Sequence, residues 1–128
     1  MIELMALTPA EEQLMKHLWK LNKAFFKELR AEYAEPRPAT TTINTLLKRL
    51  IDKDFVAFKL YGNSRQYYPL VSKEQYFSVH MQGLIQNFFN NSVQQFASFF
   101  TKEVKMSDEE LRQLREMVDE QLDTNAND

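Results

Sequence analysis

The sequence predicts a mainly α-helical chain that contains one small β-hairpin. Apolar residues recur at helical spacing through most of the 128 residues, and this recurrence is the primary signal of amphipathic helices. Residues 55–69 depart from that spacing, because aromatic and β-branched residues there flank a Gly-Asn-Ser tip. A hydrophobic content of 44% with 27% charged residues is typical of a globular protein.

The first two helices are predicted before a proline pair. Thr8 at the N-cap, Pro9 at the first helical position and Glu11 at the third form a capping box. The apolar residues that follow at helical spacing are Leu14, Met15, Leu18, Trp19 and Leu21. The second helical pattern contains Phe25, Phe26, Leu29 and Tyr33. Residues 36–38 (Pro-Arg-Pro) end it, because proline lacks a backbone donor and disfavours a helical predecessor.

The third helix is predicted over residues 40–53 and is amphipathic. Its apolar stripe has the period of a half-buried helix and contains Ile43, Leu46, Leu47 and Leu50, with Ile51 at its edge. The opposite face carries Thr41, Asn44, Thr45, Lys48 and Arg49. We therefore expect the stripe to pack on the core and the polar face to meet solvent or a ligand.

A β-hairpin is predicted directly after the third helix. Residues 55–61 and 65–69 are aromatic and β-branched runs, and Gly62, Asn63 and Ser64 between them supply turn chemistry. Three helices followed by a hairpin is the element order of a winged helix-turn-helix.

The C-terminal part is predicted to be helical and unusually apolar. Residues 72 to about 105 have the pattern of one long helix, which at ~30 residues would be about 45 Å long. Ser107 and Glu110 form a second capping box, which opens a last helix. The tail, residues 123–128, is polar.

The apolar band of this region suggests a homodimer. A helix so long extends beyond a winged-helix core, and exposed apolar patches of that size mark interfaces. The alternative is a helix that folds back and packs only on its own domain. The expected dimer-interface residues are Phe77, Met81, Leu84, Phe88, Phe89, Val93, Phe96, Phe99, Phe100, Leu111, Leu114 and Val118.

We accordingly expect two regions, a winged helix over residues 1–71 and a helical dimerisation region over residues 72–128. Charge supports this division. Residues 1–70 carry 11 basic and 8 acidic residues, whereas residues 71–128 carry 5 and 10. The overall net charge of −2 therefore conceals a basic front half, as expected of a surface that meets phosphate.

The third helix and the hairpin together predict double-stranded DNA binding. Threonine and asparagine side chains suit base edges in the major groove, whereas lysine and arginine one turn later suit phosphates. Cations beside the hairpin tip can reach the DNA backbone or the minor groove. The alternative to DNA binding is an ordinary solvent-exposed helix face with scattered surface cations. The candidate DNA-binding residues are Thr41, Thr42, Asn44, Thr45, Lys48, Arg49, Lys59, Asn63 and Arg65.

Catalysis finds little support in the sequence. There is no cysteine, and His17 and His80 lie in separate segments without a grouping at metal-ligand spacing. With only two glycines the chain has no glycine-rich phosphate loop. We expect a non-enzymatic protein without cofactor or metal. The N-terminus lacks a signal-peptide pattern and no run reaches membrane-span length, so we expect a cytoplasmic protein without direct membrane association.

Four motifs link the chain to a known family. They are residues 7–11 (LTPAE) leading to Leu18-Trp19, residues 41–50 (TTINTLLKRL), residues 67–72 (YYPLVS) and residues 107–111 (SDEEL). From residue 7 to residue 122 the chain resembles the penicillinase-repressor family, which includes the methicillin-resistance and copper-transport repressors. The resemblance implies a homodimer that binds a palindromic operator. Base and phosphate contacts would come from the positions of Thr41, Thr42, Asn44, Thr45 and Arg49.

The resemblance also implies induction by proteolysis. In β-lactam-responsive members a membrane-bound sensor metalloprotease leads to cleavage of an Asn-Phe bond in the dimerisation region. The corresponding place here is Gln95-Phe96, so a glutamine stands where those members have asparagine. Copper-responsive members carry C-terminal cysteines, which this chain lacks.

Two other classes of function stay open at this point. A winged helix can be a protein-interaction module that does not bind DNA, and the modest charge of the front half allows it. A ligand-responsive regulator, with a small molecule enclosed by the aromatic C-terminal band, is the other.

Overall fold

The computed structural model describes residues 6–127, which are mainly helical with one small antiparallel sheet. The elements in order are α1 (Pro9–Leu21), β1 (Ala24–Phe25), α2 (Phe26–Ala31), α3 (Thr40–Asp52), β2 (Val56–Tyr61), β3 (Ser64–Pro69), α4 (Lys73–Phe88), α5 (Val93–Glu103) and α6 (Asp108–Ala126). The predicted fold class is confirmed. Within residues 6–127, no helix is long and apolar enough to cross a membrane.

The predicted capping box at the start of α1 is present. The Thr8 N–H donates to Glu11 Oε1 at 2.8 Å, and the Glu11 N–H donates to Thr8 Oγ1 at 3.2 Å. These bonds satisfy backbone donors that a helix N-terminus otherwise leaves unpaired. The equivalent box at Ser107 and Glu110 opens α6, as predicted.

The sheet has the strand order β1–β3–β2, and both pairings are antiparallel. The predicted hairpin is confirmed, with Val56 opposite Pro69 and Tyr61 opposite Ser64. Gly62 in the turn has a positive φ of 63°, which glycine adopts without steric cost. The strand β1 was not predicted, because it has only two residues and is too short for an alternating pattern.

The core joins α1, α2, α3 and the sheet. The stripe predicted for α3 is buried, since Ile43, Leu46, Leu47 and Leu50 are at most 7% exposed. The side chains packed with it include Leu14, Leu18, Leu29, Phe55, Val56 and Tyr76. Burial of this stripe fixes the rotation of α3, so its opposite face is presented outward.

The start of α4 is anchored to α1 by polar contacts. The Tyr76 hydroxyl donates to Glu12 Oε2 at 2.7 Å and accepts from the Leu7 N–H at 3.3 Å. Burial and the bond to Glu12 raise the pKa of Tyr76 to about 12. Nearby, the Trp19 indole N–H donates to the Val71 carbonyl at 2.9 Å.

The single long helix predicted from residue 72 to about residue 105 is wrong. The chain leaves the helix after Phe88 and re-enters it at Val93. Asn90 and Asn91 have positive φ values of 53° and 59°, which asparagine tolerates better than most residues. The Ser92 hydroxyl accepts from the Gln95 N–H at 3.1 Å and caps α5. The left-handed backbone of the two asparagines and the Ser92 cap therefore interrupt the helix despite the continuous apolar period.

The chain forms two compact units, divided between Met81 and Gln82. The first contains the core described above. In the second, Phe89 packs against Phe96 and Phe99 with ring centroids 5.5 Å and 5.4 Å apart. The division of roles at residues 71 and 72 stays a prediction.

Candidate nucleic-acid interface

The polar face of α3 is fully presented. Thr41, Thr42, Asn44, Thr45, Lys48 and Arg49 are all exposed, because the stripe on the other side is buried. Six of the nine candidate DNA-binding residues thus lie on one helix of 13 residues. At 1.5 Å per residue that helix is about 20 Å long, which suits insertion into a major groove.

Thr45 on this polar face forms a hydrogen bond to its own helix. Its hydroxyl donates to the Thr41 carbonyl at 2.9 Å. A hydroxyl has one donor and two acceptor lone pairs, so this bond uses the donor and leaves the lone pairs and the methyl group of the exposed Thr45 available.

An open groove lies between α3 and the sheet. Its volume is about 590 Å³, and it is lined by Asn44, Leu47, Lys48, Ile51, Phe58, Arg65 and Tyr67. Phe58 and Tyr67 are cross-strand partners with ring centroids 6.0 Å apart. The Arg65 guanidinium lies 4.3 Å from the centroid of the Phe58 ring, a cation–π distance. The fold thereby brings Arg65 of the hairpin to the same groove as Asn44 and Lys48 of α3.

The two wing cations do not share a face. Side chains alternate between the faces of a strand. Arg65 opposes Leu60, two residues from Phe58, whereas Lys59 opposes Gln66. The Lys59 ammonium lies 5.6 Å from the Tyr61 ring centroid, and Tyr61 packs edge-on against Phe25. Lys59 therefore lies on the face away from the α3 groove, and Asn63 is exposed at the hairpin turn.

A second cluster of cations was not predicted from the sequence. Another groove is lined by Phe26, Lys27, Arg30, Ala31, Arg37 and Thr40. Its cations come from the short helix α2 and from the Pro-Arg-Pro connection. Neither segment has a sequence period that would place these side chains together, so only the folded path of the connection reveals the cluster.

The family of the chain follows from comparison with known proteins. The model of the penicillinase repressor family matches residues 7–120. The chain belongs to the penicillinase repressor family. It is therefore a transcriptional regulator of the winged-helix class rather than a member of an enzyme family, as the motifs at residues 7–11 and 41–50 predicted.

The chain is also similar to one individual protein and to two solved structures. The penicillinase repressor of Bacillus licheniformis is 25% identical over 115 residues, which cover 89% of this chain and 90% of the relative. The solution structure of the DNA-binding domain of the repressor BlaI is similar with a TM-score of 0.51 and 27% identity, covering 59% of this chain and 94% of that domain. A crystal structure of a MarR mutant from E. coli has 12% identity and a TM-score of 0.47 over 91% of this chain and 78% of its own.

Most of the predicted dimer-interface residues of this family member are exposed. Phe77, Met81, Leu84, Phe88, Val93, Phe99, Phe100, Leu111 and Val118 are between 37% and 78% exposed. Phe89, Phe96 and Leu114 are partly buried. Within the described part of the chain, α5 and α6 contain no buried residue.

The predicted cleavage position lies inside a helix. Gln95 and Phe96 belong to the first turns of α5, and the Gln95 N–H is engaged by the Ser92 cap. A protease needs an extended strand, so cleavage between them requires that this turn unwind.

The two histidines lie in packed positions. His17 faces Tyr33 with ring centroids 4.4 Å apart, and burial lowers the pKa of His17. His80 faces Tyr76 at 4.2 Å. Among the described residues, no group of three or more potential ligands could hold a metal ion.

Proposed function

We propose that the chain is a homodimeric repressor that binds a palindromic double-stranded DNA operator through α3 and the wing. The observation that carries this proposal is the groove in which Asn44, Lys48 and Arg65 meet. An amide that can pair with adenine and two cations that can meet phosphates are the two kinds of contact a specific DNA interface needs.

The α3 face divides into base-reading and backbone positions. Thr41, Thr42, Asn44 and Thr45 lie in the N-terminal half of α3, and Lys48 and Arg49 one turn later. In helix-turn-helix proteins the N-terminal residues of the recognition helix contact base edges. We therefore assign base contacts to the threonines and Asn44, and phosphate contacts to the two cations.

The wing extends this interface. Arg65 acts from the same groove as Lys48, whereas Lys59 and Asn63 act from the other face and from the tip. A cation at a hairpin tip can follow the DNA backbone into the neighbouring minor groove. The contribution of the two cations, Arg65 and Lys59, is electrostatic, so it should depend on salt more than on sequence.

A second copy of the chain is the proposed occupant of the C-terminal apolar surface. Phe88 is 78% exposed and Val93 is 67% exposed, and monomeric proteins rarely expose contiguous apolar surface of this kind. A two-fold dimer would present two α3 helices to half-sites one or two helical turns apart, about 34–36 Å per turn. That arrangement predicts an inverted repeat.

The inducing step we propose is cleavage near Gln95 and Phe96 by a membrane-bound sensor metalloprotease or a protease under its control. Cleavage there would separate most of the apolar residues of α5 and α6 from the winged helix. Since a half-site alone binds more weakly than two linked half-sites, loss of the dimer would release the operator.

A binding experiment with the DNA upstream of its own gene tests the proposal. Wild type should shift that DNA in the presence of excess non-specific competitor. Asn44→Ala should lose about 1–3 kcal/mol of preference for one base pair while its non-specific binding persists. If wild type shows no preference over competitor while capturing a protein partner, the chain is an interaction module and the proposal is wrong.

A further inference from the structure

The groove beside α2 has the composition of an anion site. Its lining contains three cations, Lys27, Arg30 and Arg37, and no carboxylate. The remaining lining residues are Phe26, Ala31 and Thr40. Its volume is about 450 Å³, enough to admit a phosphate group with part of a nucleotide.

Arg30, one of the residues that line this groove, is held in place by a hydrogen bond. Its Nε–H donates to the Pro38 carbonyl at 3.1 Å, which ties α2 to the residue two positions before α3. One guanidinium has five N–H donors in a planar fork, so that bond leaves the terminal donors available. Arg30 thus both positions the connection and carries charge into the groove.

Arg37 is held only weakly by a competing carboxylate. It forms an ion pair with Glu35, whose side chain is 72% exposed. Such exposed pairs contribute little free energy, so a phosphate can displace Glu35. Lys27 is exposed on α2, and within residues 6–127 it forms no ion pair.

The position of this groove relates it to the polar face of α3. Thr40 in this groove and Lys48 in the α3 groove are eight residues apart on one helix, or about 12 Å along its axis. The two cation sets thus lie beside different turns of α3. With α3 in the major groove, the two cation sets therefore reach phosphates at different points of the backbone.

We propose that Lys27, Arg30 and Arg37 form a phosphate-binding site that grips the operator backbone beside the N-terminal end of α3. This inference rests on the proposed DNA binding and deepens it, because it adds an anchor beside the start of α3 that contains no residue of the wing. Phosphate contacts of this kind fix register without reading sequence. A free phosphate ion offers the same chemistry, and the experiment separates the two sources.

The test measures the salt dependence of operator affinity by fluorescence anisotropy. The slope of log K against log salt falls by roughly 0.9 for each phosphate that the protein no longer neutralises. Lys27→Gln and Arg37→Gln should each lower the slope by about that amount and weaken operator and non-specific DNA alike. Lys16→Gln removes one charge from an exposed position on α1 that lines neither groove, and it should leave the slope unchanged.

Glu35→Gln supplies a test in the opposite direction. Removal of the competing carboxylate frees Arg37, so this variant should bind DNA more tightly than wild type at low salt. Because Glu35 and Lys27 are both exposed, neither Glu35→Gln nor Lys27→Gln should disturb folding. Circular dichroism checks this.

The outcomes distinguish this inference from the proposed function. If wild type binds its operator but Lys27→Gln and Arg37→Gln keep the wild-type slope, the inference is wrong and the proposed function stands. If those variants keep the slope but no longer show the heat of phosphate binding that wild type gives on titration with inorganic phosphate, the groove is a free-anion site. The DNA assignment is then wrong. If wild type prefers no DNA sequence, the proposed function fails and the inference with it.

Discussion

Lys53 donates to Glu11 Oε1 at 2.9 Å and so joins the end of α3 to the first turn of α1. The Glu11 side chain is fully buried, and that of Lys53 is 22% exposed. Burial alone would raise the pKa of Glu11, but the hydrogen bonds from Lys53 and Thr8 outweigh it and hold that pKa below its usual value. The orientation of α3 is therefore coupled to the capping box of α1.

Loss of one partner of this pair should destabilise the fold. Lys53→Met leaves the Glu11 carboxylate buried without its cation, which costs about 3 kcal/mol, at the low end for buried pairs because Lys53 is partly exposed. Urea unfolding followed by circular dichroism measures the loss. The double variant Glu11→Gln with Lys53→Met should recover most of it. Equal unfolding midpoints for wild type and Lys53→Met would show that the ion pair contributes nothing to the free energy of unfolding.

His17 should make stability depend on pH in the mildly acidic range. Burial lowers its pKa from 6.5, and among the described residues nothing hydrogen-bonds to its Nε2. The unfolded chain therefore takes up a proton at a higher pH than the folded chain. Stability is then full above about pH 6.5, the ordinary value for histidine, and falls as pH drops towards the folded pKa.

His17→Gln should flatten that dependence. Urea midpoints at pH 7.5 and pH 5.5 would differ for wild type and much less for the variant. Glu11 contributes at lower pH, since its lowered pKa provides stability above about 4.5 that is lost as pH falls through the folded value. An unchanged pH dependence in His17→Gln would exclude His17 as its source.

Sequence and structure agree where local chemistry and burial act together. The Thr8 box, the α3 stripe and the hairpin turn at Gly62 each combine a local signal with a matching apolar period. The helix break at Asn90 and Asn91 had only the local signal, and the apolar period across it was misleading. The groove beside α2 had neither a local signal nor an apolar period, because the path of the connection between α2 and α3 brings its residues together.

Thr45 should read DNA through its methyl group more than through its hydroxyl. The hydroxyl donor is occupied by the Thr41 carbonyl, whereas the methyl is free to meet the methyl of thymine. Thr45→Ser should therefore lose more discrimination at one base pair than Thr45→Val. Competition binding with operators substituted at each position measures both. A larger loss for Thr45→Val would assign recognition to the hydroxyl.

Arg65 and Lys59 should differ in their coupling to Lys48. Arg65 shares a groove with Lys48, whereas Lys59 lies on the other face of the hairpin. Nearby residues that share a partner depart from additivity by about 0.5–3 kcal/mol. Double-variant cycles on DNA affinity should show coupling for Lys48→Gln with Arg65→Gln and additivity for Lys48→Gln with Lys59→Gln. Equal behaviour of both pairs would contradict the proposed docking of the wing.

Phe88→Asp should convert the proposed homodimer into monomers. Phe88 is 78% exposed within one chain, so the substitution removes little packing inside the monomer. In a dimer it would bury an unpaired carboxylate in an apolar interface, which is strongly unfavourable. Sedimentation velocity at micromolar concentration should show a dimer for wild type and a monomer for the variant, with weaker binding to a two-half-site operator.

Leu60→Asp is the matched control for the sedimentation measurement alone, because Leu60 lies opposite Arg65 in the wing and a carboxylate there would itself weaken DNA binding. Leu60 is 60% exposed on the hairpin, so it tests the same change of charge on an apolar surface residue outside the proposed interface. This variant should remain dimeric. Each half-site of the expected operator is contacted by one winged helix, which Phe88→Asp leaves unchanged. The monomeric variant should therefore still bind a single half-site as wild type does. A monomeric wild type would instead leave the exposed aromatic residues of α4 and α5 for a different partner and would refute the dimer.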